Sequence, residues 1–138
     1  MTDKLDSRQR SINMAKIHST NTSIEVKVRK FLFSEGFRYR KNVSSLPGKP
    51  DLVLKKYKTV IFVNGCFWHR HTGCKRATVP KTRTDYWVAK FDKNIENDLN
   101  NYQQLRASGW KVIIIWECDI LRHFSTTMLK TIEEILSN

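Results

Sequence analysis

Leu46–His71 reads LPGKPDLVLKKYKTVIFVNGCFWHRH, and the order of its pieces decides the fold. LPGKP is turn chemistry, DLVL and TVIFV are short runs rich in β-branched and aliphatic residues, and the polar pair Lys56 and Tyr57 separates them, which is the pattern of a β-hairpin. If Lys56 and Tyr57 form its turn, Asp51 stands across from Phe62. That register places a carboxylate at the mouth of one strand, beside the backbone near Val63, where the second strand runs out into Asn64, Gly65 and Cys66.

Upstream, Asn21, Thr22 or Ser23 can cap a helix that begins near Ile24. Ile24, Val28, Phe31 and Leu32 then share one stripe, with Glu25 at its edge and Gly36 as the stop. Residues 1–20 differ from this pattern. They are polar and basic with scattered Ile12, Met14 and Ile17, and read as an arm that orders on a partner or as a frayed terminus, apart from a single domain over residues 21–138. Downstream, the segment from Asp85 to Ala107 has helical periodicity. Trp87, Phe91, Ile95, Tyr102 and Leu105 fall within about 40° of a common direction at ~100° per residue, and Asp98 lies in the middle of that stripe. Gly109 ends this helix, KVIIIWEC is a continuous apolar run suited to a strand covered on both faces, and MLKTIEEIL closes as a short amphipathic helix. The resulting order α, β, β, α, β, α predicts an α/β domain with a small mixed sheet flanked by helices.

The 138 residues suffice for one domain with a core, and 40% hydrophobic content with only 5 Gly and 3 Pro excludes disordered, collagen-like and low-complexity chains. No apolar run approaches the ~20 residues of a membrane span, and the opening lacks the apolar stretch of a secretory signal, so a cytoplasmic protein without a membrane partner is expected. Lys and Arg number 25 against 13 acidic residues, a formal charge of +12, which favours polyanions. No continuous basic amphipathic helix points to a lipid surface, so nucleic acid is the expected partner.

Two thiols and two imidazoles, Cys66, His69, His71 and Cys74, crowd into nine positions, and the third cysteine, Cys118, follows the last strand run. Cys66, His71, Cys74 and Cys118 make a closed Cys3His set for a structural Zn2+; the alternative is buried thiols with surface histidines. Asp51, Glu25, His69 and Asp98 are the remaining polar residues on apolar elements or at their ends. Buried carboxylates are costly unless they bind a cation or a donor, and a carboxylate beside a backbone carbonyl is a start for Mg2+. Taken singly, Asp51 also fits a turn, Asp98 a buried ion pair with Lys or Arg, and His69 a surface position. Phe67, Trp68 and Trp87 adjoin basic residues, as base-stacking or wedge residues do, although Trp87 also fits a core stripe.

RSINMAKIHSTNTSIE, LPGKPDLVL, VIFVNGCFWHRH, CKRATVPKTRTDYWVAKFDKNIENDLNN and GWKVIIIWEC together resemble the very short patch repair endonucleases, bacterial enzymes related to the restriction-endonuclease superfamily. The resemblance runs from about Arg8 to Cys118 and implies a restriction-endonuclease-like fold. It further implies a DNA endonuclease that nicks one strand on the 5′ side of the T in T:G mismatches left by deamination of 5-methylcytosine.

By the same resemblance Asp51 binds Mg2+ with the main-chain carbonyl of Val63, His69 is the general base, Asp98 orients it, and Glu25 reaches metal-bound water. The zinc ligands map onto Cys66, His71, Cys74 and Cys118. The aromatic wedge maps onto Phe67, Trp68 and Trp87 on the major-groove side, the arm with Met14 and Ile17 approaches from the minor groove, and Lys90 and Asn94 touch the mispair. A nucleoid-associated bacterial enzyme is implied, functionally linked to a 5-methylcytosine methyltransferase and to downstream repair proteins. A nick needs one active site, so a monomer is expected. Two departures stand out: Asn64 occupies the position of a second family His and offers a phosphate only a hydrogen bond, and one extra residue lies between His71 and Cys74. Two rivals remain at this stage, a restriction-type or less specific nuclease of the same fold, and a zinc-stabilised mismatch-binding protein without catalysis.

Overall fold

Alternation with a period of two puts one set of side chains on each face of a sheet, and both faces of this one are covered. The computed structural model describes residues 23–137; the arm over residues 1–20, with Met14 and Ile17, lies outside them. The elements are α1 (Ser23–Ser34), β1 (Arg40–Lys41), β2 (Leu52–Leu54), a 3-10 turn (Lys55–Tyr57), β3 (Thr59–Asn64), α2 (Thr84–Ala107), β4 (Lys111–Trp116), α3 (Glu117–Arg122) and α4 (Phe124–Leu136). The four strands lie in the order β1-β2-β3-β4. β1 and β3 each run antiparallel to β2, whereas β3 and β4 are parallel and joined through α2.

Leu52, Leu54, Ile61, Val63, Ile113 and Ile115 pack on one face with Val28 and Leu32 of α1, Ile120 of α3, and Met128 and Ile135 of α4. Val53, Val60 and Phe62 pack on the other with Tyr102 and Leu105 of α2, beside the partly buried Val112 and Ile114. The mixed sheet flanked by helices is therefore the architecture expected from the sequence. Leu52 pairs with Ile61 and Leu54 with Thr59, the register in which Asp51 stands opposite Phe62.

Four details differ from the expectation. The hairpin turn is not Lys56–Tyr57 alone but the 3-10 turn Lys55–Tyr57 followed by Lys58 at φ 52°; the longer connection leaves the register unchanged because its centre is the same. β1 is an added edge strand, too short and too charged to show an apolar alternation, as edge strands often are. Glu117 and Cys118 have left β4 for α3, so Cys118 sits on a helix's first turn. Finally, Ile95 is 39% exposed while Phe91, Tyr102 and Leu105 are buried; the inward face of α2 runs through the half-buried Asn94 instead.

Gly48 shows how the turn before β2 is seated. Its φ is +75°, and a Cβ there would lie 3.1 Å from both Asn101 and Phe62, so the turn approaches α2 and β3 more closely than any larger residue allows. Asp51 follows directly, its main-chain oxygen accepting from the Asn42 N–H at 3.0 Å.

Candidate active site and metal centre

The end of β3 feeds two clusters. The first gathers around Asp51, whose Oδ2 accepts a hydrogen bond from the Val63 N–H at 2.6 Å, so the strand mouth is tied to β3 as the register requires. Burial pushes the Asp51 carboxyl up to about 7; the Val63 N–H opposes that shift, Glu25 adds to it, and His69 and Arg29 oppose it. Glu25, His69 and Arg29 therefore all lie close enough to Asp51 to act on its charge. α1 supplies two of these: Glu25 and Arg29 are 6% and 7% exposed, one turn apart, with Glu25 Oε2 3.8 Å from Arg29 Nη1.

His69 lies beyond the strand, in a turn closed by its own N–H to the Gly65 oxygen at 3.1 Å. Its Nδ1 lies 2.7 Å from Asp98 Oδ2 on α2. Asp98 thus pairs with a histidine, not with Lys or Arg. A carboxylate at Nδ1 keeps the proton on that nitrogen, leaving Nε2 free as a base. Asn64, 3% exposed, points inward, its Nδ2 donating to the Tyr102 hydroxyl at 2.9 Å. Burial holds that phenol above its usual range, at about 12, so Tyr102 stays protonated and its oxygen is a fixed acceptor for Asn64.

The second cluster is Cys66, His71, Cys74 and Cys118, whose ligand atoms all lie within 4.8 Å of one another. His71 Nδ1 is 3.6 Å from Cys66 Sγ and 3.3 Å from Cys118 Sγ, spacings that suit a tetrahedral ion held at ~2.0–2.3 Å. Burial pushes the Cys66 thiol up to about 12 and also raises Cys118, whereas N–H groups near Cys74, that of Arg76 above all, lower it. The Cys66 thiol stays protonated until a cation takes it, and the donor set can hold a zinc. His71 also stacks flat on Trp116, centroids 4.2 Å apart.

Between the clusters, Phe67 meets Trp68, Phe91 and Trp87 at 4.9, 5.2 and 5.8 Å between ring centroids. Trp68 is the most buried of the three wedge candidates, at 5%, whereas Phe67 and Trp87 are half-buried; Trp87 is not the core member of the set. Asn94 donates to the Trp68 carbonyl at 3.2 Å, and Lys90 is half-buried on the same helix.

Three residues that pattern did not single out support this arrangement. Arg29 lies beside Glu25, Tyr102, foreseen only as a stripe member, holds Asn64, and Arg70 staples the loop by donating to the carbonyls of Phe67, Thr78 and Ala77 at 3.1, 2.9 and 2.8 Å. Only Arg70 left a signal, a basic residue between two histidines; the others needed the tertiary structure.

Residues 2–76 match the family described as DNA mismatch endonuclease Vsr. The type II nicking enzyme V.NmeAIP of Neisseria meningitidis serogroup A is 52% identical over 120 residues, covering 87% of this chain and 85% of that protein. The DNA mismatch endonuclease Vsr of Escherichia coli is 43% identical over 118 residues, 86% of this chain and 75% of that one. The type II nicking enzyme V.XorIIP of Xanthomonas oryzae is 42% identical over 120 residues, 87% and 88% of the two chains.

Proposed function

The chain belongs to the Vsr family of DNA mismatch endonucleases, and from that premise we propose that it nicks one strand of duplex DNA 5′ of the T in a T:G mismatch, using Mg2+. The observation that carries the reading is the convergence of Asp51, Glu25 and the His69–Asp98 pair at the end of β3. A carboxylate that burial pushes up to about 7 gains from a cation and suits Mg2+, which Asp51 and the Val63 carbonyl would hold, with Glu25 within reach of its water. Bound there, Mg2+ would supply neutralisation of charge developing on the phosphate and a lowered pKa for a water. His69 takes the proton at Nε2, and Asp98 holds the imidazole in that tautomer and stabilises it once charged. Asn64 positions this floor through Tyr102, since its amide is turned inward.

The zinc at Cys66, His71, Cys74 and Cys118 is structural, because four protein ligands leave no open position. It clamps the loop after β3 to the start of α3 and so fixes the segment carrying Phe67, Trp68 and His69. Those aromatics with Trp87 act beside the mispair, Lys90 and Asn94 contact it, and Met14 and Ile17 of the arm contact the minor groove. The enzyme works as a cytoplasmic, nucleoid-associated monomer after a 5-methylcytosine methyltransferase and ahead of repair synthesis.

The test uses end-labelled duplexes that differ only in one T:G or C:G pair, with Mg2+ present or omitted. A Mg2+-dependent cut beside the T, absent on C:G, is expected. Equal cutting of both duplexes would favour a less specific nuclease, a reading to which the relatives named simply as nicking enzymes lend weight. Mismatch binding without any cut would select the non-catalytic alternative.

A further inference from the structure

A second basic feature lies on α1, away from the aromatic cluster along α2. The side of α1 that carries Arg29, Lys30 and Phe33 faces Arg38, Tyr39 and Lys41 across a cleft of about 400 Å³. Among the described residues four cations line it and no carboxylate does, and of the four only the buried Arg29 has an acid, Glu25, beside it. Among the described residues, Lys30, Arg38 and Lys41 have no carboxylate within 4.0 Å. Like charges gathered without an acid repel one another unless an anion joins them.

The cleft is also preorganised. Arg38 lies with Cζ 4.0 Å from the Phe33 ring centroid and donates to the Phe37 carbonyl at 3.1 Å, while the Tyr39 hydroxyl donates to the Arg29 carbonyl at 3.0 Å. Arg29 itself is 7% exposed, and its Nη1 makes no hydrogen bond, with Glu25 Oε2 3.8 Å away. The same guanidinium therefore borders both the cleft and the carboxylates around Asp51.

We propose that this cleft binds backbone phosphates of the DNA strand that passes the active site, extending the footprint along α1; the inference rests on the nuclease reading above. Lys30 on α1, Arg38 beyond its end and Lys41 on β1 are exposed and come from three separate segments around the cleft, a spread that suits successive phosphates of one strand better than one small anion. The contacts add affinity and set the register of the scissile bond but carry no base information.

The experiment measures binding of a T:G duplex in Mg2+-free buffer by wild type and by Lys30→Ala/Lys41→Ala, using duplexes in which single flanking phosphodiesters are replaced by uncharged methylphosphonates. Both lysines are exposed, so equal melting temperatures are expected and checked. Loss of two phosphate contacts should weaken binding roughly 30-fold at 0.15 M salt and flatten the slope of log affinity against log salt by roughly 2. One or two methylphosphonate positions that weaken the wild type should have no further effect on the double variant. Unchanged affinity, or losses that add at every position, would overturn the proposal, as would displacement of the duplex by millimolar inorganic phosphate acting through these lysines alone. Failure of the nuclease reading shows separately, as a wild type that nicks no T:G duplex.

Discussion

The two clusters fed by the end of β3 differ in chemistry and in completeness. At Cys66, His71, Cys74 and Cys118 soft donors already lie within 4.8 Å of one another, a set that can hold a zinc. Around Asp51 the donors are hard oxygens, and one carboxyl, pinned by the Val63 N–H, is pushed up to about 7 chiefly by burial. A closed cluster spends its binding energy on the fold, whereas an open one keeps charge tension for metal and substrate to relieve.

The comparison breaks most visibly at Cys118. Cys118→Ala removes one of four zinc ligands, and structural zinc can contribute ~10–16 kcal/mol in small domains, as much as the ~5–15 kcal/mol that holds a typical domain together. The variant should lose zinc and unfold or aggregate, read by zinc content and melting; a normal melt would contradict the structural role.

Asp51→Asn should do the reverse, keeping fold and zinc while nicking falls roughly a thousandfold or more, since several kcal/mol of charge stabilisation at the phosphate goes with the metal. The same residue sharpens the contrast through pH. Because the folded pKa of Asp51, about 7, lies above the ordinary ~3.9, the folded state binds that proton more tightly than the unfolded one. The contribution is fully present below pH ~4 and is lost as pH rises through about 7. Metal-free wild type should therefore lose stability between pH ~4 and about 7, Asp51→Asn should show a flatter profile, and Mg2+ should stabilise the wild type most at the alkaline end. Melting temperature against pH, with and without Mg2+, checks all three.

Asp98→Asn leaves His69 without its charged partner and should lower kcat roughly a hundredfold, with zinc content and DNA affinity kept; an unchanged kcat would place His69 outside the chemistry. The smallest effect belongs to Tyr102→Phe. It takes the acceptor from a buried Asn64 amide, which costs about 1–3 kcal/mol, and should lower the melting point and slow nicking severalfold without moving KM. A fall in KM affinity instead would place Asn64 on the DNA.

The hairpin and its register were legible because β-branched runs and a PGKP turn leave few alternatives, and the gathering of Cys66, His71, Cys74 and Cys118 because Cys and His seldom crowd by chance. The pairing of His69 with Asp98 was legible only in part, since the helical stripe placed Asp98 inward but could not say which partner it met. Ile95 shows the limit of periodicity: a small rotation of a 24-residue helix moved it out and Asn94 in. Arg29 and Tyr102 act through residues remote in sequence, and no local pattern marks such contacts.

The most direct test of the two-cluster account measures nicking of a T:G duplex in Mg2+ by wild type and Asp51→Asn, with bound zinc determined on the same preparations. The account predicts one zinc per chain in both proteins and nicking by the wild type alone. Nicking by Asp51→Asn at the wild-type rate, or loss of its zinc along with its activity, would contradict it.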